Sequence, residues 1–392
     1  MSEWASGHLG DYANLLVGFA FKSTQFSFDP AGPRLVRGDN IKRGVLEWGH
    51  STRYWPEPSN ELLSRYSLRS GDVVVGMDGS RVGENFATIA DTDLPALLVQ
   101  RVACIRAGNQ LDQQFLKYLI CNPSFTSYVK SVHTGTSIPH VSGQQISDYP
   151  ISLPPLPEQR AIAEVLGALD DKIEANRRRA GTVRRLTSAA FQAAMVDVVT
   201  DGIPLCDVVQ FVFGEPFKSS DFNMEERGRP LIRIRDLKTF RPQFWTTESR
   251  PRETVVEPGD VVVGMDAEFR PTLWLGTSGL LNQRVCVATP KLGGRAFVRE
   301  LLEEPLAQVE SFKSGTTVSH LNKVDLESIK VSLPEPEAIV RFANLAEPLR
   351  EVIVSLHREN RGLVAIRDAL LPKLLSGELR VRDAEHLVEE AV

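Results

Sequence analysis

The chain is written twice. Leu9-Gly10-Asp11 returns as Leu205-Cys206-Asp207, Phe21-Lys22-Ser23 as Phe217-Lys218-Ser219, and Arg37 as Arg233, each 196 residues on. Gly71-Asp72-Val73-Val74-Val75-Gly76-Met77-Asp78 then returns residue for residue as Gly259-Asp260-Val261-Val262-Val263-Gly264-Met265-Asp266. Gln100-Arg101-Val102 matches Gln283-Arg284-Val285, Gly135-Thr136 with His140 matches Gly315-Thr316 with His320, and Ile151-Ser152-Leu153-Pro154 matches Val331-Ser332-Leu333-Pro334. An identical block of that length is hard to obtain by chance, so the fold must be assembled from two copies of one unit.

Each copy has two parts. Residues 1–153 and 201–333 mix short Val- and Ile-rich runs with Gly, Pro, Asn and Asp turns. Gly-Asp before Val-Val-Val reads as a turn feeding a buried strand, and Gln113 to Tyr128 as short helices. This is an α/β domain without the regular strand–helix alternation of a doubly wound sheet. The second parts, 154–200 and 334–376, are helical. After Leu153-Pro154-Pro155-Leu156-Pro157 no proline occurs until Pro204, and Ile162, Leu166, Leu169, Ile173, Ala180, Val183, Leu186 and Ala190 form one helical stripe. A helix from about Glu158 to Met195 is roughly 55 Å long. The second stripe runs Phe342, Leu345, Leu349, Val352, Leu356, Leu363, Ile366, Leu370, Leu374. Pro348 either kinks this helix or marks its first turn, Gly377 ends it, and the Glu-rich residues 377–392 read as a solvated tail. Stripes of this kind on two long helices pair as a coiled coil. The expected class is therefore α+β, two α/β domains joined by two long helices. Asn176 and Glu359-Asn360 interrupt the stripes, either as exposed residues on a wandering stripe or as a polar layer that sets register.

Composition excludes some classes of function. A net charge of −5 rules out a protein that is basic all over, so a nucleic-acid binder of this balance must gather its Lys and Arg on one face. No run of about 18 apolar residues predicts a membrane helix, and Met-Ser-Glu-Trp-Ala-Ser-Gly-His lacks the pattern of a signal peptide, so a cytoplasmic protein is expected. Cys104, Cys121, Cys206 and Cys286 lie far apart with no Cys-x-x-Cys pair, which argues against a zinc site or disulfides.

Leu153-Pro154-Pro155-Leu156-Pro157-Glu158-Gln159-Arg160, running on to Leu169-Asp170-Asp171-Lys172-Ile173-Glu174-Ala175-Asn176, resembles the central region of specificity subunits of type I restriction-modification systems. Leu370-Leu371-Pro372-Lys373-Leu374-Leu375-Ser376-Gly377-Glu378-Leu379 resembles their C-terminal signature. The resemblance implies two target recognition domains, each reading one half of a split site in double-stranded DNA, and antiparallel helices acting as a ruler. It implies two docked methyltransferase subunits and a motor-nuclease (restriction) subunit. S-adenosylmethionine, ATP and Mg²⁺ would be bound by those partners, with no cofactor in this chain. The second copy departs from the pattern: Pro336-Glu337-Ala338-Ile339 stands where the first has Pro157-Glu158-Gln159-Arg160.

Catalytic signatures are scarce. The nearest match to an adenine-methyltransferase turn is Asn122-Pro123-Ser124-Phe125, and its counterpart Glu304-Pro305-Leu306 lacks the Asn. No Gly-rich cofactor loop precedes either, and both read better as helix-ending turns. No phosphate loop is present. Asp72 and Asp260 follow Gly at strand starts, where a turn residue is expected anyway, and Asp78 and Asp266 complete the set of carboxylates a nuclease reading would use. An enzyme with a fused recognition unit and a coiled-coil scaffold that never touches DNA are the rival readings.

The duplication sorts the DNA-facing candidates. Polar residues shared by both copies suit sequence-independent contacts: Lys22, Ser23, Arg37, Arg101, Thr136 and His140, with Lys218, Ser219, Arg233, Arg284, Thr316 and His320. Arg101 and Arg284 have an alternative reading, pairing internally with a carboxylate. Residues that differ can carry different half-sites. Gly79-Ser80-Arg81-Val82-Gly83-Glu84-Asn85-Phe86 faces Ala267-Glu268-Phe269-Arg270-Pro271-Thr272-Leu273-Trp274. Arg81, Asn85 and Arg270 are therefore candidates for base edges, the alternative being drift in a surface loop.

Overall fold

The computed structural model describes residues 4–135, 138–196, 198–313 and 320–389. The chain divides into two compact units, 1–171 with 363–392, and 172–362.

In the first unit an antiparallel sheet carries the strands Ala13–Val17, Val102–Ala107, Val73–Gly76 and Phe86–Thr88 in that order. Val74 lies opposite both Cys104 and Ala87, and all three are buried. The Gly-Asp turn does what its sequence predicts. Gly71 takes φ +85°, and the Asp72 carboxylate closes the turn on the Arg69 N–H at 2.8 Å. The same carboxylate accepts Arg106 Nε and Nη2, both at 2.7 Å. A buried, doubly held carboxylate at a strand start is a structural device, not a nuclease ligand. A short parallel pair, Arg34–Val36 with Ala96–Leu98, lies beside the sheet.

The second unit repeats the plan. Val209–Phe213, Val285–Pro290, Val261–Gly264 and Pro271–Leu273 form the antiparallel sheet. Arg229–Ile232 runs parallel to Gly279–Leu281, here within five strands. Gly259 takes φ +96°, and Asp260 accepts the Glu257 N–H and Arg295 Nε. Cys104 and Cys286 are one position out of step in the repeat: Cys104 lies opposite Val74, whereas Cys286 lies opposite Val263, the counterpart of Val75. Burial pushes both thiols up to about 12, so neither is a thiolate at neutral pH.

The Asn122-Pro123 turn ends one helix, Gln113–Cys121, and starts the next, Pro123–Val132, with Asn122 Oδ1 accepting the Ser124 N–H at 3.0 Å. Its counterpart is not a turn. The helix Gly294–Lys313 runs straight through Pro305, because Glu304 supplies no such cap to restart the chain.

The central helix spans Leu156–Ala194 and the C-terminal one Pro336–Ser376. Pro348 lies well inside the second, so it does not mark the first turn. The stripe is buried at Ile162, Leu166, Leu169, Ile173 and Ala180, and at Phe342, Leu356, Leu363, Leu370 and Leu374. Leu186, Leu345 and Val352 are instead exposed. A straight helix drifts by about 20° per heptad against a strict seam, so the buried face rotates away from those positions. Thr187, Phe191, Ala346 and Ile353 take it over. Phe191 packs on Phe342 of the partner helix and on Phe297 of the domain, with ring centroids 5.6 Å apart in each case, and so joins the helix seam to the domain core.

The helices run antiparallel, as pairs within each unit show. In the second unit Lys172 meets Glu359 at 3.2 Å while Phe191 meets Phe342. Asn176 Nδ2 donates to Asn360 Oδ1 at 3.1 Å, and Asn360 Nδ2 to the Ile173 carbonyl at 3.2 Å. The interruption is thus a polar layer, with Asn176 fully buried. In the first unit Asp170 binds Arg367 at 2.8 Å. Residues 377–392 are not simply a solvated tail: Val381–Glu389 is helical and buries Ala384 and Val388.

Gln159 explains why its motif appears once. It is fully buried; its Oε1 accepts the Asp112 N–H at 2.8 Å, and its Nε2 donates to the carbonyls of Gln110 and Pro154. In the second unit Glu347 Oε1 accepts the Ala296 N–H at 2.7 Å, so a different residue clamps the start of that helix.

Candidate nucleic-acid interface

Three sequence features converge at one end of each sheet. Val73–Gly76 delivers Met77 and Asp78, the turn leading into Val102 delivers Arg101, and the loop before the helix Gly143–Ser147 delivers His140. Backbone bonds fix their spacing: Met77 N–H to the Arg101 carbonyl and Val141 N–H to the Met77 carbonyl, both 2.9 Å. Arg101 Nη1 donates to Asp78 Oδ2, and His140 Nδ1 is hydrogen-bonded to Asp78 Oδ1.

The second unit builds the same cluster. Met265 N–H reaches the Arg284 carbonyl at 2.9 Å, and Leu321 N–H the Met265 carbonyl at 2.8 Å. His320 Nδ1 lies 2.6 Å from Asp266 Oδ1, and Arg284 Nη1 lies 3.9 Å from the same oxygen. The alternative reading of Arg101 and Arg284, an internal carboxylate partner, is therefore the observed geometry. Both arginines nevertheless remain more than half exposed, so the pairing leaves donors facing outward.

A second pair of features lies on the neighbouring strand end. Gly18 and Gly214 are required there. A Cβ on either would sit 2.1 Å from the Val99 carbonyl or 2.0 Å from that of Asn282, which no side chain tolerates. This close approach lays the segment along the arginine turn. The next anchors, Phe21 and Phe217, are buried, and the exposed Lys22-Ser23 and Lys218-Ser219 follow at once. Lys218 is positioned by its own N–H, which donates to Glu248 Oε2 at 2.8 Å.

Arg37 and Arg233 are more nearly structural. Arg37 binds Asp39 at 2.8 Å and covers the Phe26 ring; Arg233 binds Asp236 at 3.3 Å and covers the Phe244 ring at 4.3 Å. In the second unit an open groove brings Ser219, Arg233 and Arg284 together with Asp266, Arg235 and Gln283. Arg235 was not singled out from sequence. Its signal was present, since the matching position two residues past the shared arginine is Asp39, so a cation in one copy faces an acid in the other.

Arg270 goes elsewhere, into a cavity lined by Arg184, Arg299 and Arg350. The segment that carries it is not a drifting surface loop: Phe269 and Trp274 are fully buried. In the first unit Arg81 is exposed and Asn85 half-buried, beside a Lys130–Glu84 ion pair that holds the Glu84 carboxyl below its ordinary value. Thr136 and Thr316 lie outside the described residues. Among the described residues, no three His, Cys, Asp or Glu side chains are grouped to hold a metal, and no helix is long and apolar enough to cross a membrane.

Fold and site together define a class: a protein of two copied α/β units, each presenting the same Arg–Asp–His cluster, and two long antiparallel helices. Comparison with known proteins shows what the chain resembles. Residues 1–183 match the type I restriction modification DNA specificity domain. The specificity subunit of the EcoBI type I restriction enzyme of Escherichia coli is 31% identical over 198 residues, 48% of this chain and 41% of that subunit. The MjaIX specificity subunit of Methanocaldococcus jannaschii is 23% identical over 311 residues, 69% of this chain and 70% of that one. The match thus spans less than half the length of the Escherichia coli relative. In fold, the chain is similar to the crystal structure of the type I restriction-modification S subunit from M. genitalium, with a TM-score of 0.59 at 16% identity, over 95% of this chain and 96% of that one. Residues 1–183 thus resemble that specificity domain, and the chain as a whole shares the S-subunit fold.

Proposed function

We propose that this chain is the non-catalytic, DNA-reading subunit of a type I restriction-modification complex, in which each unit reads one half of a bipartite double-stranded site. The observation that supports this is the duplicated cluster of Arg, Asp and His beside an exposed Lys-Ser, set against a flanking segment that differs between the copies. The exposed shared lysines suit phosphates, whose geometry is the same at any sequence, and divergent residues suit two different half-sites. In this reading two methyltransferase subunits and a motor-nuclease subunit dock on the chain. S-adenosylmethionine, ATP and Mg²⁺ belong to those partners, and the helices set the gap between half-sites.

The test is methylome mapping in cells that express the chain with its methyltransferase partner. A split motif is expected. Replacing residues 201–333 with the equivalent region of another specificity subunit should change one half of the motif and leave the other intact. A continuous motif, a change in both halves, or methyl transfer by the purified chain alone would refute the proposal.

A further inference from the structure

The two carboxylates of the duplicated cluster have no role of their own in the reading above, yet both units set the same Asp between the same Arg and His. Asp78 is 17% and Asp266 27% exposed, each set behind a far more exposed arginine and histidine. The arginines they hold sit in an unusual backbone conformation. Arg101 has φ +66° and Arg284 φ +68°, the left-handed region that Gly or Asn adopts far more readily. A turn needing only that shape would be filled by glycine. Keeping Arg there in both copies costs stability, and what the strain retains is the side chain.

Each carboxylate engages its arginine through Nη1 and its histidine through Nδ1. A guanidinium has five N–H donors, so most remain free and point outward, as does Nε2 of the imidazole. The carboxylate cancels the arginine's charge while leaving its donors aimed. An isolated exposed arginine binds any phosphate; one neutralised from behind loses that long-range attraction and keeps directional hydrogen bonding.

We infer that Asp78 and Asp266 are specificity-determining positioning residues: each orients Arg101 with His140, or Arg284 with His320, toward DNA and suppresses non-specific phosphate binding by them. This rests on the DNA-reading function proposed above.

The test uses the full chain assembled with its methyltransferase partners, titrated over a range of salt against three duplexes: the methylated motif, motifs altered in one half-site, and an unrelated sequence. Asp78→Asn frees one cation, so binding to the unrelated duplex should tighten about three- to tenfold and the salt slope steepen by about one. Discrimination should fall at one half-site only, and Asp266→Asn should do the same at the other. Arg101→Gly supplies a variant certain to be tolerated by the backbone. It should raise the melting temperature by relieving the left-handed strain and yet weaken binding to the motif at least tenfold. Aspartate variants with unchanged non-specific affinity and discrimination, both variants acting on the same half-site, or Arg101→Gly binding with full affinity would each overturn the inference. Absence of any sequence preference in the unsubstituted complex would instead refute the DNA-reading function itself.

Discussion

Replacing Asp170 with Ala should destabilise the first unit more than any other single surface-accessible change. Asp170 lies on the central helix, and its carboxylate accepts Lys117 Nζ at 2.6 Å, Arg367 Nη1 at 2.8 Å and the Tyr118 hydroxyl at 2.9 Å. One side chain thus ties the helix Gln113–Cys121 and the C-terminal helix to the central one. Burial alone would raise its pKa, but Lys117 and Arg367 more than offset that and hold the carboxyl below its ordinary value. Removing one partner of a fully buried charge network costs about 3–5 kcal/mol. These groups are roughly a quarter exposed, so solvent screening reduces the figure to about 2–3 kcal/mol. At about 2–4 °C per kcal/mol for a unit of this size, the melting temperature should fall by about 5–10 °C at pH 7. The pH dependence has a definite sign. A depressed folded pKa stabilises fully above the unfolded value of about 3.9, and the contribution is lost as pH falls through the folded one. The gap between wild type and Asp170→Ala in calorimetry should therefore close in acid. A variant melting within about 1 °C of wild type at pH 7, or a gap that persists in acid, would refute the reasoning.

Replacing Asn176 and Asn360 together with Leu should raise the denaturation midpoint, equivalent to about 1 kcal/mol or more, because Asn176 Oδ1 is buried without a partner; slow exchange among helix registers should accompany it in hydrogen-exchange patterns. His357 is held at about 4 by burial and by Arg184, Arg361 and Arg177, so stability should drop on the order of 2 kcal/mol as pH falls from 6.5 to 4, and His357→Phe, which keeps the packing on Phe240, should flatten that slope. Lys22→Ala or Lys218→Ala should weaken binding to every duplex and lower the salt slope by about one, whereas Arg81→Ala and Arg235→Ala should each relax one half-site, as titrations on half-site variants would read out.

The architecture was legible because it is carried by local and repetitive signals. Identical Gly-Asp-Val-Val-Val blocks mark the same strand twice, and a stripe stepping in threes and fours marks each long helix. What misled were places where tertiary context overrides local pattern. Leu186, Leu345 and Val352 keep the period yet face solvent, because the buried face there shifts to residues that also pack on the domain core, such as Phe191 on Phe297 and Ile353 beside Leu275. Pro305 and Pro348 read as breaks, but a helix already anchored on both sides of a proline can forgo one hydrogen bond. The acidic tail hid two small apolar residues, Ala384 and Val388, enough to seat one short helix.

The geometry of the candidate site was legible in part, and the division is physical. Comparing the copies singles out Lys22, Arg101 and His140 with their counterparts as candidates, since a shared polar residue in a diverging surface needs a reason. It could not show that Asp78 joins Arg101 to His140, contacts that span 23 and 62 residues of sequence. Nor could divergence alone separate Arg270, beside a fully buried Phe269 on a strand edge, from Arg235, which lines the groove with Arg284. Divergent positions include both exposed groove residues and repacked cores, and burial tells them apart. The strained arginines supply what sequence comparison lacks. A left-handed arginine kept twice identifies a side chain retained against its own backbone preference, and such a side chain is better explained by what it binds than by the turn it occupies.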